Sequence, residues 1–144
     1  MNALSPYLLT ILISWFAAQT LKYVVFSFKH RSFKKGIGQL YLSGNMPSAH
    51  SAAVTSLLVL IGAREGFSSA IFGLAALFSA IVMYDAMMVR RSSGEQGKAL
   101  TQLLVSTKSD IKLPRVAKGH TPSEVAAGAL LGLFVGIIVI LATS

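Results

Sequence analysis

Two short segments carry the residue types that chemistry needs. Met46-Pro47-Ser48-Ala49-His50-Ser51-Ala52 and Gly119-His120-Thr121-Pro122-Ser123-Glu124-Val125 each set a Pro-Ser pair and one histidine at the head of an apolar run. Proline at a first helical position loses nothing, because its missing N–H would be unpaired there, so each segment reads as a helix start. A helix start offers free backbone N–H groups and the positive end of the helix dipole, which suits an anion such as phosphate. Imidazole is the side chain that titrates near neutral pH. Arg90-Arg91 adds two cations at the end of another apolar run. Taken singly, His50 or His120 would be an interfacial histidine and the arginines a topological charge. Thr121 and Glu124 also form a capping box, which would account for Glu124 without catalysis and can coexist with a second role. The convergence of these groups is what points to an anion site.

Two further residues are costly where they stand. Lys22 and Asp85 fall inside apolar runs, where an ionisable group usually faces a bundle interior and finds a partner. Lys22 could also snorkel to an interface. Gln19 shares its helix face at i, i+3. Asp85 is expected to pair with Lys22 or Arg90. On an ideal helix Arg90 lies about 140° around from Asp85, which favours Lys22.

The elements that must hold these residues are membrane helices. Of 144 residues, 53% are hydrophobic and 12% charged, with a mean hydropathy of +0.65. A soluble domain carries roughly twice that charge, about 25%. The absence of cysteine excludes disulfides, thiol nucleophiles and cysteine-ligated metals. Apolar runs over 4–28, 49–63, 68–89 and 125–143 predict an all-α bundle of about four transmembrane helices in one domain, 1–144. The second run is short and must be tilted, extended by its polar start, or buried among the others. Residues 99–107 suggest a short interfacial helix with Leu100, Leu103 and Leu104 inward. The net charge of +8 does not point to nucleic acid, because the cations sit in loops between spans. Lys29, Arg31, Lys34 and Lys35 occupy the first loop, and Arg90, Arg91, Lys98, Lys108, Lys112, Arg115 and Lys118 the third. The positive-inside rule then sets both loops in the cytoplasm and both termini outside, in a plasma or inner membrane. Both histidine segments and Arg90-Arg91 thereby share the cytoplasmic face. Glu124, Gly128, Gly132 and Gly136 fall at steps of four, a stripe that admits a close neighbouring helix. That neighbour is either part of the internal bundle or a second copy in a homodimer.

These motifs resemble the divergent branch of the type 2 phosphatidic acid phosphatase superfamily, also described as acid phosphatase/vanadium-dependent haloperoxidase-related membrane proteins. The likeness runs from Gln19-Thr20-Leu21-Lys22 to Gly132. It rests on Gly44 to Ala52, on Tyr84-Asp85-Ala86 with Val89-Arg90-Arg91 and Gly94-Glu95-Gln96, and on Gly119 to Val125. The resemblance implies a metal-independent phosphohistidine mechanism with no cofactor. His120 would attack phosphorus, Glu124 would orient it in place of the superfamily's aspartate, and His50 would protonate the leaving oxygen. A neutral imidazole is a competent nucleophile at neutral pH, and a carboxylate on its other nitrogen fixes the tautomer. Phosphate oxygens would be held by Lys22, Ser48, Arg90 and Arg91, with Asp85, Gln19, Thr121 and Ser51 in support. This chain departs from the wider pattern at Ala49, where the superfamily has glycine. It departs again at Pro114, where the superfamily arginine would stand, with Arg115 one residue too close. Arg90, Arg91 and Arg115 are the candidates for that duty.

The expected function is hydrolysis of a phosphomonoester or diphosphate on a phospholipid or isoprenoid phosphate at the cytoplasmic face. Transfer of phosphate to another acceptor would use the same residues. The alternative from another class is a catalytically silent membrane scaffold or assembly factor that keeps the fold.

Overall fold

The computed structural model describes residues 5–30, 46–113, 116 and 119–143. All regular structure among them is helical: α1 (Pro6–His30), α2 (Ala49–Glu65), α3 (Ala70–Tyr84), a π-turn (Asp85–Val89), α4 (Arg90–Ser106) and α5 (Pro122–Thr143). Much of the first loop, including Arg31, Lys34, Lys35, Gly44 and Asn45, lies outside the described residues, as do Arg115 and Lys118.

The starts follow from local chemistry. Ser48 caps α2 by accepting the Ser51 N–H, and Ser69 caps α3 by accepting the Phe72 N–H. Gly66 between them has φ of +87°, a conformation that a side chain would strain. Phe67 and Phe72 meet edge to face over Gly62, where a Cβ would come within 2.7 Å of the Phe67 ring. The result is a tight hairpin of α2 and α3.

Among the described residues three helices are long and apolar enough to cross a membrane: Pro6–Phe28, Ala70–Ser106 and Pro122–Thr143. α2, with 17 residues, would rise about 25 Å, short of the roughly 30 Å hydrocarbon core. It is the central helix instead, packed against α1, α3 and α5. Of the three ways to accommodate a short run, burial among the others is the one observed. The interfacial helix expected over 99–107 is not separate: α4 continues α3 through the π-turn as one helical run of 37 residues.

The bundle is built inside out. Many buried positions hold small or polar residues, among them Thr10, Ser14, Ala18, Ser48, Ala52 and Ser56, beside the apolar Leu60 and Val139, while Leu74, Phe78, Leu130, Phe134 and Leu141 are exposed. Lipid tails are as apolar as leucine, so close approach of small residues holds such helices together. Thr10, Ser14, Ala18 and Lys22 form one buried i, i+4 stripe on α1. Across it, the Ser56 hydroxyl of α2 bonds the Ser14 hydroxyl at 2.9 Å.

The glycine stripe packs on α2 of the same chain. A Cβ at Gly128 would overlap the Ser48 carbonyl oxygen, and one at Gly132 the Ala52 carbonyl; at Gly136 it would sit 3.1 Å from the Ser56 carbonyl. Its glycines are buried in this contact, so the stripe serves the internal bundle. The pairings rise together along both helices, so α2 and α5 run parallel. Ser14 with Ser56, and Tyr7 with Glu65, make α1 antiparallel to α2. Phe72 beside Gly62 and Ser79 with Val54 do the same for α3. One end of the bundle therefore gathers the starts of α2 and α5 and the join of α3 to α4.

Candidate functional site

That end brings most of the candidate residues together. The two helix starts are bonded directly, the Ser48 N–H donating to the Glu124 carbonyl at 3.1 Å. Ser48 Oγ accepts from the Ser51 N–H at 3.3 Å and from the Ser51 hydroxyl at 2.9 Å. Both serines are buried, and the bond to Ser48 gives Ser51 its place in the cap.

His120 is 5% exposed. Its Nδ1 lies 3.1 Å from Glu124 Oε2. The same oxygen accepts the Thr121 N–H at 3.0 Å, while the Glu124 N–H donates to Thr121 Oγ1 at 3.3 Å. The capping box and the histidine contact thus coexist on one carboxylate oxygen. Neither reading of Glu124 displaces the other. Burial pushes the His120 imidazole below its usual range, and the nearby charges of Lys22 and Arg90 push the same way, against the pull of Glu124. A histidine so placed is neutral at pH 7. With Nδ1 held, Nε2 is the ring atom that no hydrogen bond engages among the described residues.

The backbone holds His120 as well. Its N–H donates to the Ala86 carbonyl at 2.9 Å. Ala86 lies in the π-turn, where the Arg90 N–H bonds the Asp85 carbonyl five residues back. Gly119 rests on the Arg91 backbone so closely that a Cβ would overlap it. Glycine is required there because a backbone, not a movable side-chain end, occupies the space. Sequence reasoning did not find the π-turn or the Ala86 carbonyl. Apolar periodicity passes smoothly through Asp85–Val89, so it carried no signal; the Gly-His pair was visible, but its packing partner was not.

The π-turn also corrects the expected ion pair. Asp85 bonds Arg90, Nε to Oδ2 at 2.6 Å, rather than Lys22. The 140° separation assumed an unbroken α-helix, and an i→i+5 turn rotates the two side chains toward each other. Arg91 points away and meets exposed Glu95 at 3.3 Å. Of the two arginines, Arg90 is the one whose charge reaches His50 and His120.

Lys22 does not snorkel. It is 5% exposed, and its ammonium acts electrostatically on Glu124 and on both histidines. Gln19 is half-buried one turn earlier. His50 is exposed on the first turn of α2, within the fields of Arg90, His120, Lys22 and Asp85. One imidazole is therefore sealed and one open. Among the described residues no three His, Asp or Glu side chains gather as metal ligands would.

A family model described as the Divergent PAP2 family matches residues 4–135. The uncharacterized membrane protein YuiD of Bacillus subtilis (strain 168) is 33% identical over 111 residues, which cover 67% of this chain and 70% of that protein. No solved structure matches the chain.

Proposed function

Because the chain belongs to the divergent PAP2 family, we propose that it is a membrane phosphatase hydrolysing a phosphomonoester or diphosphate on a lipid at the cytoplasmic face. The observation that carries this reading is the buried His120 imidazole, held through Nδ1 by Glu124. It lies at an end of the bundle where Lys22, Arg90 and His50 all act on it or its neighbours.

The chemistry follows from those groups. His120 is neutral, so the Nε2 lone pair attacks phosphorus as the bond to the leaving oxygen breaks. The imidazolium that forms is stabilised by the Glu124 carboxylate on Nδ1. His50, after taking a proton from solvent to become the imidazolium, donates that proton to the leaving oxygen. Neutral His50 then takes a proton from water, whose oxygen attacks the phosphohistidine, and inorganic phosphate leaves. Lys22, Arg90 and the N–H groups at the helix starts oppose the negative charge of the phosphoryl oxygens. Ser48 and Ser51 keep the α2 start in shape, and Arg90 takes the duty of the missing superfamily arginine. The loop charges support a cytoplasmic site, and the open lipid-facing surface of the bundle supports a lipid substrate.

Phosphate release by purified protein in nanodiscs, from phosphatidic acid, phosphatidylglycerophosphate and an isoprenoid diphosphate, tests the reading. Wild type should release phosphate from at least one and form an acid-labile phosphoenzyme. If His120→Ala hydrolyses as wild type does, the phosphohistidine route is wrong. If wild type turns over nothing, the scaffold reading takes its place.

A further inference from the structure

We propose that Asp85 is a positioning residue: through the π-turn it grips Arg90 at Nε and presents the two terminal guanidinium nitrogens to the substrate phosphate. The inference rests on the phosphate site proposed above and assigns the residue that aims one of its cations. Asp85 meets Arg90 twice. Its backbone carbonyl accepts the Arg90 N–H five residues on, and its Oδ2 accepts from Nε at 2.6 Å. A guanidinium is a planar fork that binds phosphate in bidentate fashion, and a carboxylate on Nε leaves the Nη1–Nη2 edge open for that purpose. Among the described residues no hydrogen bond engages either Nη of Arg90.

What the same turn holds sets the direction. Ala86, next to Asp85, accepts the His120 N–H at 2.9 Å, so the backbone that carries the pair also carries the nucleophile. The charge of Arg90 acts on both histidines, and that of Asp85 acts on His50. Arg91 is held differently. Its Nε meets Glu95 at i, i+4 and 3.3 Å, with both side chains more than half exposed. In an unbroken α-helix Asp85 and Arg90 would stand about 140° apart, too far around for the carboxylate to guide the guanidinium.

Stability does not account for the pair. The Arg90 and Asp85 side chains are 44% and 36% exposed, and water screens such a pair until it contributes little. Single π-turns in α-helices recur where the helix serves a site. An arginine free to move would lose that freedom on binding phosphate, whereas one already held at Nε has lost it beforehand. The Asp85 charge opposes part of the Arg90 field, so its contribution is aim rather than charge. Lys22 acts on the same histidines from α1 and supplies charge there.

The test reads binding of inorganic phosphate to the full chain in nanodiscs by phosphorus NMR, which needs no turnover. D85N should weaken binding about tenfold, the scale of coupling between groups in contact. E95Q, which breaks the outer pair, should leave it unchanged. In an R90K background D85N should change nothing further, because a lysine has no fork to aim. D85E keeps the charge but alters the reach to Nε, so its loss should be smaller and should also vanish with R90K; it carries the test if D85N does not fold. Phosphate binding by D85N as tight as wild type overturns the proposal, and tighter binding does so by showing that Asp85 only neutralises Arg90. An equal loss in the R90K background marks a structural role and overturns it as well, as does a wild type that binds no phosphate. Binding with the expected dependences but no lipid hydrolysis would sustain the positioning and sink the phosphatase reading alone.

Discussion

The two ends of the bundle both carry charged and polar residues, yet they use them in opposite ways. At the far end Tyr7 bonds Glu65, and Arg64 bonds the Thr143 carbonyl and hydroxyl at 2.9 and 2.7 Å, all in exposed positions. Each group has an immediate partner, and the pairs are exposed. At the near end Lys22 and His120 are buried, and a single carboxylate, Glu124, answers the cap, the imidazole and the lysine's field. Exposed pairs of the first kind contribute little because water screens them. Burying charge with too few partners is expensive, and helices keep such an arrangement where chemistry uses it. The contrast sets exposed fastening pairs against a buried cluster of the kind that the proposed chemistry would use.

The sharpest way to break the comparison is at His120. His120→Ala should abolish turnover and the acid-labile phosphoenzyme, measured by phosphate release and by radiolabel trapping. His50→Ala should slow esters with poor leaving groups far more than an activated aryl phosphate, which departs without a proton. Next, Glu124→Gln should lose most of the rate while thermal unfolding stays close to wild type. Glutamine can still close the capping box, but it cannot carry the charge that stabilises the imidazolium. A large drop in thermal stability with the rate retained would make Glu124 a cap alone.

Packing between the ends should come third. Gly132→Val has no room against the Ala52 carbonyl and should destabilise the bundle by about 1–3 kcal/mol, read by unfolding in detergent. A smaller effect concerns pH. Burial lowers the His120 pKa from its ordinary 6.5, so the nucleophile stays neutral down to a pH below that value. The acid limb of the rate assigned to His120 should therefore fall below pH 6.5. The stability linked to this neutral histidine is full above its unfolded pKa and is lost as pH drops through the folded one. At the far end, Arg64→Ala should leave turnover unchanged and alter stability by only about 0.5 kcal/mol. A loss of activity there would erase the distinction between the ends.

Much of the architecture was legible in residue order alone. Four apolar runs, the charge-poor composition and the Pro-Ser starts specify a helical membrane bundle, because lipid admits only satisfied backbones and few charges. The step of four from Glu124 through Gly136 predicted a close helix contact, since a helical period needs no tertiary information. His120 and Glu124 could be paired for the same reason.

What the tertiary structure decided were relations that span helices or break the helical period. Whether the glycine stripe meets α2 or a second copy depends on which backbone fills it, and the Ser48 and Ala52 carbonyls do. That Lys22 is buried rather than snorkelling depends on the small residues of α1 that let α2 draw near. Asp85 found Arg90 because one i→i+5 turn shifted the register of a helix whose apolar pattern gave no sign of it. That same turn put the Ala86 carbonyl under His120. Periodicity reads each helix from its own axis, whereas a site of this kind is fixed by backbone atoms of one helix meeting side chains and N–H groups of another, which only packing brings within reach.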